Sequence, residues 1–350
     1  MKKILQIIKI SSIFSGAVLG AGFAGGRELV TFFVSFGKSG IIAVFAAGIL
    51  FTVFGSIILY TAKKESISSY SDYLNLIFTK NTAFLFGAIS ETFLLVCFFI
   101  MLAGGGALFY DIFRIPTFAG NIITALISFT VLSFGLGTIG TVCSIFSPIM
   151  LIGILYVNIY SLLTKTTPAM VFFNNMSESV ILSAVLYVSY NMLSCAPALV
   201  SSASLAENKR TALYGGILGG CILLILSFVT CLALYLGNKN ILSIELPMLA
   251  LSKEISTISY YLYALVLYMA ILTTAFSTGL PLVKKAETLG FSQRSASLIL
   301  CLISLPLSTF RFSLLVEYCY TFFGYLGLIL LYKILIKIKK YKKQEIFKGK

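Results

Sequence analysis

The chain has 350 residues, 59% hydrophobic and 11% charged, with a formal charge of +14. That balance excludes a string of soluble domains and defines an all-α integral membrane protein built as one helical body. Histidine is absent and the only aspartates are Asp72 and Asp111, so histidine catalysis and ordinary zinc sites fall away and no enzyme is expected.

The positive charge is not spread as nucleic-acid binding would require. Lys and Arg crowd the helix ends and the tail from Lys333 to Lys350, where the partner is the lipid bilayer and its anionic headgroups, not nucleic acid. Cys97, Cys143, Cys195, Cys221, Cys231, Cys301 and Cys319 all lie in apolar segments without a Cys-x-x-Cys pair. They read as small packing residues.

From the N-terminus, the first apolar run extends from Ile4 to Phe36 and is expected to remain as a first helix rather than a signal peptide. It is too long for one straight crossing, since a bilayer core of about 30 Å takes only about 20 helical residues. Within it, Gly16-Ala-Val-Leu-Gly-Ala-Gly-Phe-Ala-Gly-Gly26 places five glycines in eleven residues. The helix is expected to break there, near mid-membrane, where broken backbone is tolerated only if it is buried or lines a cavity. A closely packed Gly-x-x-x-Gly helix is the alternative. Arg27 and Glu28 follow directly. Glu28 reads first as a carboxylate in the first turn of the restarting helix, with gating or binding alongside Arg27 as the other option.

Further apolar spans fall near 40–62, 83–110, 117–136, 140–163, 178–202, 211–236, 258–283, 294–310 and 312–336, making ten in all. Lys2, Lys3, Lys9, Lys63, Lys64, Lys80, Lys209, Arg210, Lys284, Lys285, Arg294 and the tail then share one side. Only Lys38, Arg114, Lys165, Lys239, Lys253 and Arg311 lie on the other, which places both termini in the cytoplasm of a multi-pass cell-membrane protein. Residues 1–340 form the single transmembrane domain and 338–350 a basic cytoplasmic tail. Ser66–Phe78 has the helical spacing of an interfacial helix. Ile241–Ile255 could be a short helical lid on the outside or an ordinary loop.

Three polar clusters fall inside spans. Span 3 carries Met101-Leu-Ala-Gly104-Gly105-Gly106, small enough for a helix or ligand to approach, and Glu91, readable as a proton or cation site or as a salt-bridge partner. Span 6 contains Tyr190, Asn191, Ser194 and Pro197. An inverted-repeat transporter would place a second break there, five spans after the first, although a simple proline kink also accounts for it. Span 8 contains Thr273, Thr274, Ser277 and Thr278, hard oxygen donors for Na⁺ or hydroxyls bonded back to their own helix.

GAVLGAGFAGGRE, MLAGGGALF and YVSYN together resemble the bacterial YkvI-type membrane protein family over nearly the whole chain. That family resembles the LeuT-fold amino acid–polyamine–cation superfamily. The resemblance implies a five-plus-five inverted repeat (about 4–165 and 176–337), broken helices 1 and 6, and spans 1, 2, 6 and 7 as a moving bundle. It implies a sodium site from the carbonyls of Gly16, Leu19 and Ala270 with the hydroxyls of Thr273 and Thr274. A substrate carboxylate would meet the amides of Gly20, Ala21 and Gly22, with Phe23, Met101, Gly104, Tyr190, Asn191 and Ser194 around the solute. Ala17 stands where some sodium-coupled relatives have asparagine, against a second sodium site. Span 5 has Tyr156 and Asn158 but no lysine, against proton coupling by that route. The expected function is cation-coupled transport of a small solute, an amino acid or amine, with Na⁺ favoured over H⁺ and no other cofactor. The alternative is a non-transporting solute sensor resembling spore germination receptor subunits.

Overall fold

The computed structural model describes residues 2–164, 179–237 and 243–348. Glu178, Lys165, Lys239 and the start of the expected lid lie outside them. The described part is all helix. The first span is interrupted: α1 (Lys2–Val18) stops at Leu19 and Gly20, α2 covers Ala21–Ala24, and α3 covers Arg27–Phe32. Gly20 is extended, with φ −86° and ψ −174°. Gly26 takes φ +81°, a conformation that L side chains rarely adopt, so glycine is required there.

The remaining spans are continuous. They are α4 (Lys38–Lys64), α6 (Lys80–Phe113), α7 (Thr117–Phe134), α8 (Leu136–Thr164), α9 (Ser179–Ser202), α10 (Lys209–Leu236), α12 (Thr257–Thr288) and α13 (Gln293–Leu307). The last crossing begins with the single turn α14 (Phe312–Leu315), passes through a π-helical turn at Val316–Tyr320 and continues as α15 (Thr321–Lys348). Eight of these segments are long and apolar enough to cross a membrane. The shorter α13 and the broken first span complete the ten expected. Starts are marked by local chemistry: Asn208, Ser256 and Ser292 each accept a backbone N–H three residues on.

Both expected connecting helices are present. In the first, α5 (Tyr70–Ile77), Tyr73 and Leu74 are buried, and the Tyr73 hydroxyl lies 3.1 Å from Thr61 Oγ1. The other, α11 (Pro247–Ile255), uses Pro247 in its first turn.

The second break is absent. Helix α9 passes through Pro197 without interruption. Proline removes one backbone donor, and the neighbouring side chains bond within the same helix. Asn191 Nδ2 donates to Tyr187 O at 2.9 Å and Ser194 Oγ to Asn191 O at 3.0 Å. Span 6 therefore runs as one rod from Ser179 to Ser202.

Packing divides the spans into two groups. Helices α1, α4, α9 and α10 pack on one another, while α12 packs on α6, α8 and α13, and α7 on α6 and α13. Span 1 lies on span 7 as span 6 lies on span 2, and span 3 meets span 4 as span 8 meets span 9. The arrangement maps onto itself when spans are counted on by five, as the inverted repeat requires. Glycines set the closest approach. A methyl group on Gly215 would stand 2.6 Å from Ile10 Cγ2, and one on Gly219 2.6 Å from Phe14 Cδ1. In span 3, Gly105 backs on Thr124 and Gly106 on Asn121, so that glycine run serves the α6–α7 contact.

Candidate functional site

The interrupted backbone of span 1 faces α12. A Cβ on Gly20 would lie 3.2 Å from Thr274 Oγ1. Thr274 and Thr273 both donate to Ala270 O, at 2.8 and 3.1 Å, and Thr273 also lies 3.8 Å from Met150 Sδ. Ser277 and Thr278 likewise donate to Thr273 O and Thr274 O, each at 2.8 Å. All four hydroxyls bond back to their own helix. Their lone pairs stay available to an ion, whereas the Ala270 carbonyl, expected as a ligand, is engaged by two hydroxyls. Gly16 is exposed, with no atom within 4 Å of where its Cβ would stand. Of the expected ion ligands, Thr274 meets span 1 at the Gly20 backbone, while Gly16 stands apart and Leu19 is half-buried.

Beyond the break, Ala21, Gly22, Phe23 and Ala24 are all buried. Glu28 is not an exposed helix-end charge: it is 4% exposed. Its side chain turns back over α2, so a methyl group on Gly22 would stand 2.6 Å from its Cδ. Tyr190 donates its hydroxyl to Glu28 Oε2 at 2.8 Å. The Tyr190 ring stacks on Tyr320 of the π turn, with centroids 4.7 Å apart, and meets Phe32 at 5.4 Å and Tyr187 at 5.6 Å. A π turn at such a contact is the kind of helix defect found at functional sites.

Met101 is fully buried, and Gly104 packs against Phe312 and Ile271. Glu91 forms an ion pair with Lys285 at 3.2 Å, both side chains about half exposed, so the salt-bridge alternative is the one observed. The bonds of Asn191 within its own helix leave Ser194 as the half-exposed polar residue of that turn.

The side away from the chain termini is closed. Arg27 pairs with Glu317 of the π turn at 3.8 Å. Met248 N at the start of α11 donates to Gly25 O at 3.0 Å, and Tyr263 Oη to Ala24 O at 2.6 Å. Glu245 accepts from Arg311 Nε at 3.0 Å, Ser313 N at 2.6 Å and Ser313 Oγ at 2.9 Å, tying the α11 segment to the last span. Towards the termini the packing is looser. Ser12, Gly16, Ala17, Ser147 and Ser277 are exposed. Helix α9 packs along α15, but its repeat counterpart, α1 against α8, makes no extended contact among the described residues. The repeat is therefore asymmetric, sealed at one end of the break and parted at the other. Glu317, Tyr320, Tyr263 and Glu245 were not legible as site residues, because each meets the break from far along the chain.

Interrupted first span, helix 8 hydroxyls and repeat-related packing define a membrane protein with the LeuT-like transporter fold. The sequence is similar to the YkvI-type membrane proteins. It is 25% identical over 341 residues, 94% of this chain and 95% of the other, to uncharacterized membrane protein YkvI of Bacillus subtilis (strain 168). It is 24% identical over 340 residues, 93% and 96% of the two chains, to uncharacterized protein YyaD of the same organism. No protein-family model matches. The fold is similar to the manganese transporter of Eremococcus coleocola in complex with an aromatic bis-isothiourea substituted compound, with a TM-score of 0.64 and 14% identity. That likeness covers 93% of this chain and 78% of the transporter. A mutant of the same transporter gives 0.63 and 15%, with the same coverage.

Proposed function

We propose that the protein is a secondary active transporter that carries a small solute, an amino acid or amine, by alternating access, with sodium as the coupling cation. The observation that carries this reading is the asymmetry around the broken span: closure by Arg27–Glu317 and the α11 segment on one side, parting of α1 from α8 on the other. Such a structure is half of a cycle whose other half exchanges the two contacts. The group of α1 to α4 with α9 and α10 is the unit that would rock.

Manganese as the solute does not follow from the likeness of fold. Divalent cations of that kind are held by several carboxylate or imidazole ligands. Among the described residues, no group of three His, Cys, Asp or Glu could hold a metal ion. A monovalent ion held by neutral oxygens fits better, and Thr273 and Thr274 supply them. The double substitution Thr273→Ala and Thr274→Ala is expected to abolish sodium-stimulated uptake into sealed vesicles with folded protein retained. Full sodium stimulation in that variant would remove the site.

In this reading the termini face the cytoplasm and α11 the outside. Lys253 on α11 is exposed. Lys253→Cys is expected to react with a membrane-impermeant maleimide on intact cells, above the wild-type background. Labelling only after lysis would invert the orientation.

A further inference from the structure

We infer that Glu28 is the recognition group for a cationic amine, so that the solute of the proposed transport is an amine lacking a carboxylate; the inference rests on the transporter reading above. A carboxylate in the membrane interior is costly unless a positive partner or strong hydrogen bonds compensate it. Glu28 is 4% exposed, and the Tyr190 hydroxyl at 2.8 Å is the partner the structure gives it. A hydroxyl eases a negative charge without neutralising it. Arg27, the adjacent cation, pairs with Glu317 instead. The site is thus built to receive one positive charge.

Position decides what brings that charge. The Glu28 side chain lies across Gly22, with Cδ and Cγ 2.6 and 2.7 Å from where a Cβ on Gly22 would stand. Two residues away, Gly20 meets Thr274 at the interrupted backbone. A solute carboxylate held at Gly20–Gly22, as the resemblance implied, would sit beside a like charge. The negative group that an amino acid would bring is already part of the protein. A solute that supplies only an ammonium group completes it.

The surroundings agree with that class. Rings of Tyr190, Tyr187, Phe32, Phe93 and Tyr320 pack together next to the carboxylate, with centroid separations from 4.7 Å (Tyr190–Tyr320) to 6.2 Å (Phe93–Tyr190). Aromatic faces attract an ammonium group and exclude water, which strengthens the charge pair. A strongly hydrated divalent ion would have to give up its water shell there for a single carboxylate.

The test heats purified wild-type protein with amino acids and their decarboxylated amines in pairs: valine and isobutylamine, phenylalanine and phenethylamine, lysine and cadaverine. A ligand of the native state raises the melting temperature by mass action. At least one amine is expected to raise it by several degrees while its parent amino acid does not. Glu28→Gln, which keeps the shape and the Tyr190 hydrogen bond, is expected to lose that shift. Equal shifts from amino acid and amine, no shift from any amine, or an amine shift that survives in Glu28→Gln would each overturn the assignment. Should Glu28→Gln not accumulate, the paired comparison in wild-type protein decides by itself. Amino-acid flux without any amine effect overturns the amine assignment alone, and amine binding without flux in sealed vesicles overturns the transport reading alone.

Discussion

The double substitution Gly216→Ala and Gly220→Ala is expected to remove folded protein from the membrane. Helices α4 and α10 touch backbone to backbone at these positions. A methyl group on Gly216 would stand 2.5 Å from Ser56 Cα and 2.7 Å from Ser56 N, and one on Gly220 2.6 Å from Thr52 N. Backbone atoms cannot rotate aside as a side chain can, so the helices themselves must separate. Overpacking typically costs about 1–3 kcal/mol per site. Two such sites on one seam reach the lower end of the ~5–15 kcal/mol that holds a protein folded. Separation also removes the van der Waals contact that joins helices in lipid. Fluorescence-detected size exclusion of the detergent extract provides the measurement. Gly16→Ala serves as the control, because a methyl group there meets nothing within 4 Å. A monodisperse peak of wild-type height and melting temperature in the double variant would refute the packing argument.

A second large effect is expected from Gly22→Ala, and it should fall on activity instead of folding. The atoms in the way belong to the Glu28 side chain, not to backbone, so the carboxylate can move, though only by leaving the Tyr190 hydroxyl. Hydrogen bonds to charged groups are worth about 1.5–3 kcal/mol, which corresponds to roughly a tenfold to hundredfold loss of affinity. Uptake should drop by that factor at low solute concentration, with the amount of folded protein close to wild type. Unchanged uptake would mean that the Gly22–Glu28–Tyr190 contact does not contribute to binding.

Much of the architecture could be read from the sequence because each span is an apolar run ended by charge, glycine or proline. The first break was legible for a local reason: glycines at 20, 22, 25 and 26 weaken the helix wherever it is placed. Span 6 misled for a local reason as well. Pro197 and Asn191 have the composition of a break, but a proline removes a single backbone bond, and here the helix continues through Pro197 to Ser202 while Asn191 and Ser194 bond to carbonyls of their own helix. Glu28 was placed correctly in the first turn of the restarting helix, but its partner was not legible. Its partner, Tyr190, lies 162 residues away, and no periodicity within span 1 encodes that contact. The same holds for Arg27 and Glu317. Side-chain pairs across the repeat are set by how two helices cross, which hydropathy does not specify.

On the transport reading, the buried carboxylate of Glu28 also has an electrical consequence. An elementary charge that traverses the whole membrane field gains or loses about 2.3 kcal/mol per 100 mV. In that reading, an ammonium group on Glu28 makes that pair neutral, and the net charge of the loaded carrier is that of its sodium ion. Emptied, Glu28 in its ionised form would carry a negative charge through whatever part of the field the opening and closing sweeps across. An inside-negative potential then favours return of the empty site to the outside. The resting voltage of the cell would thereby draw the cation inward by speeding the step in which no solute is bound.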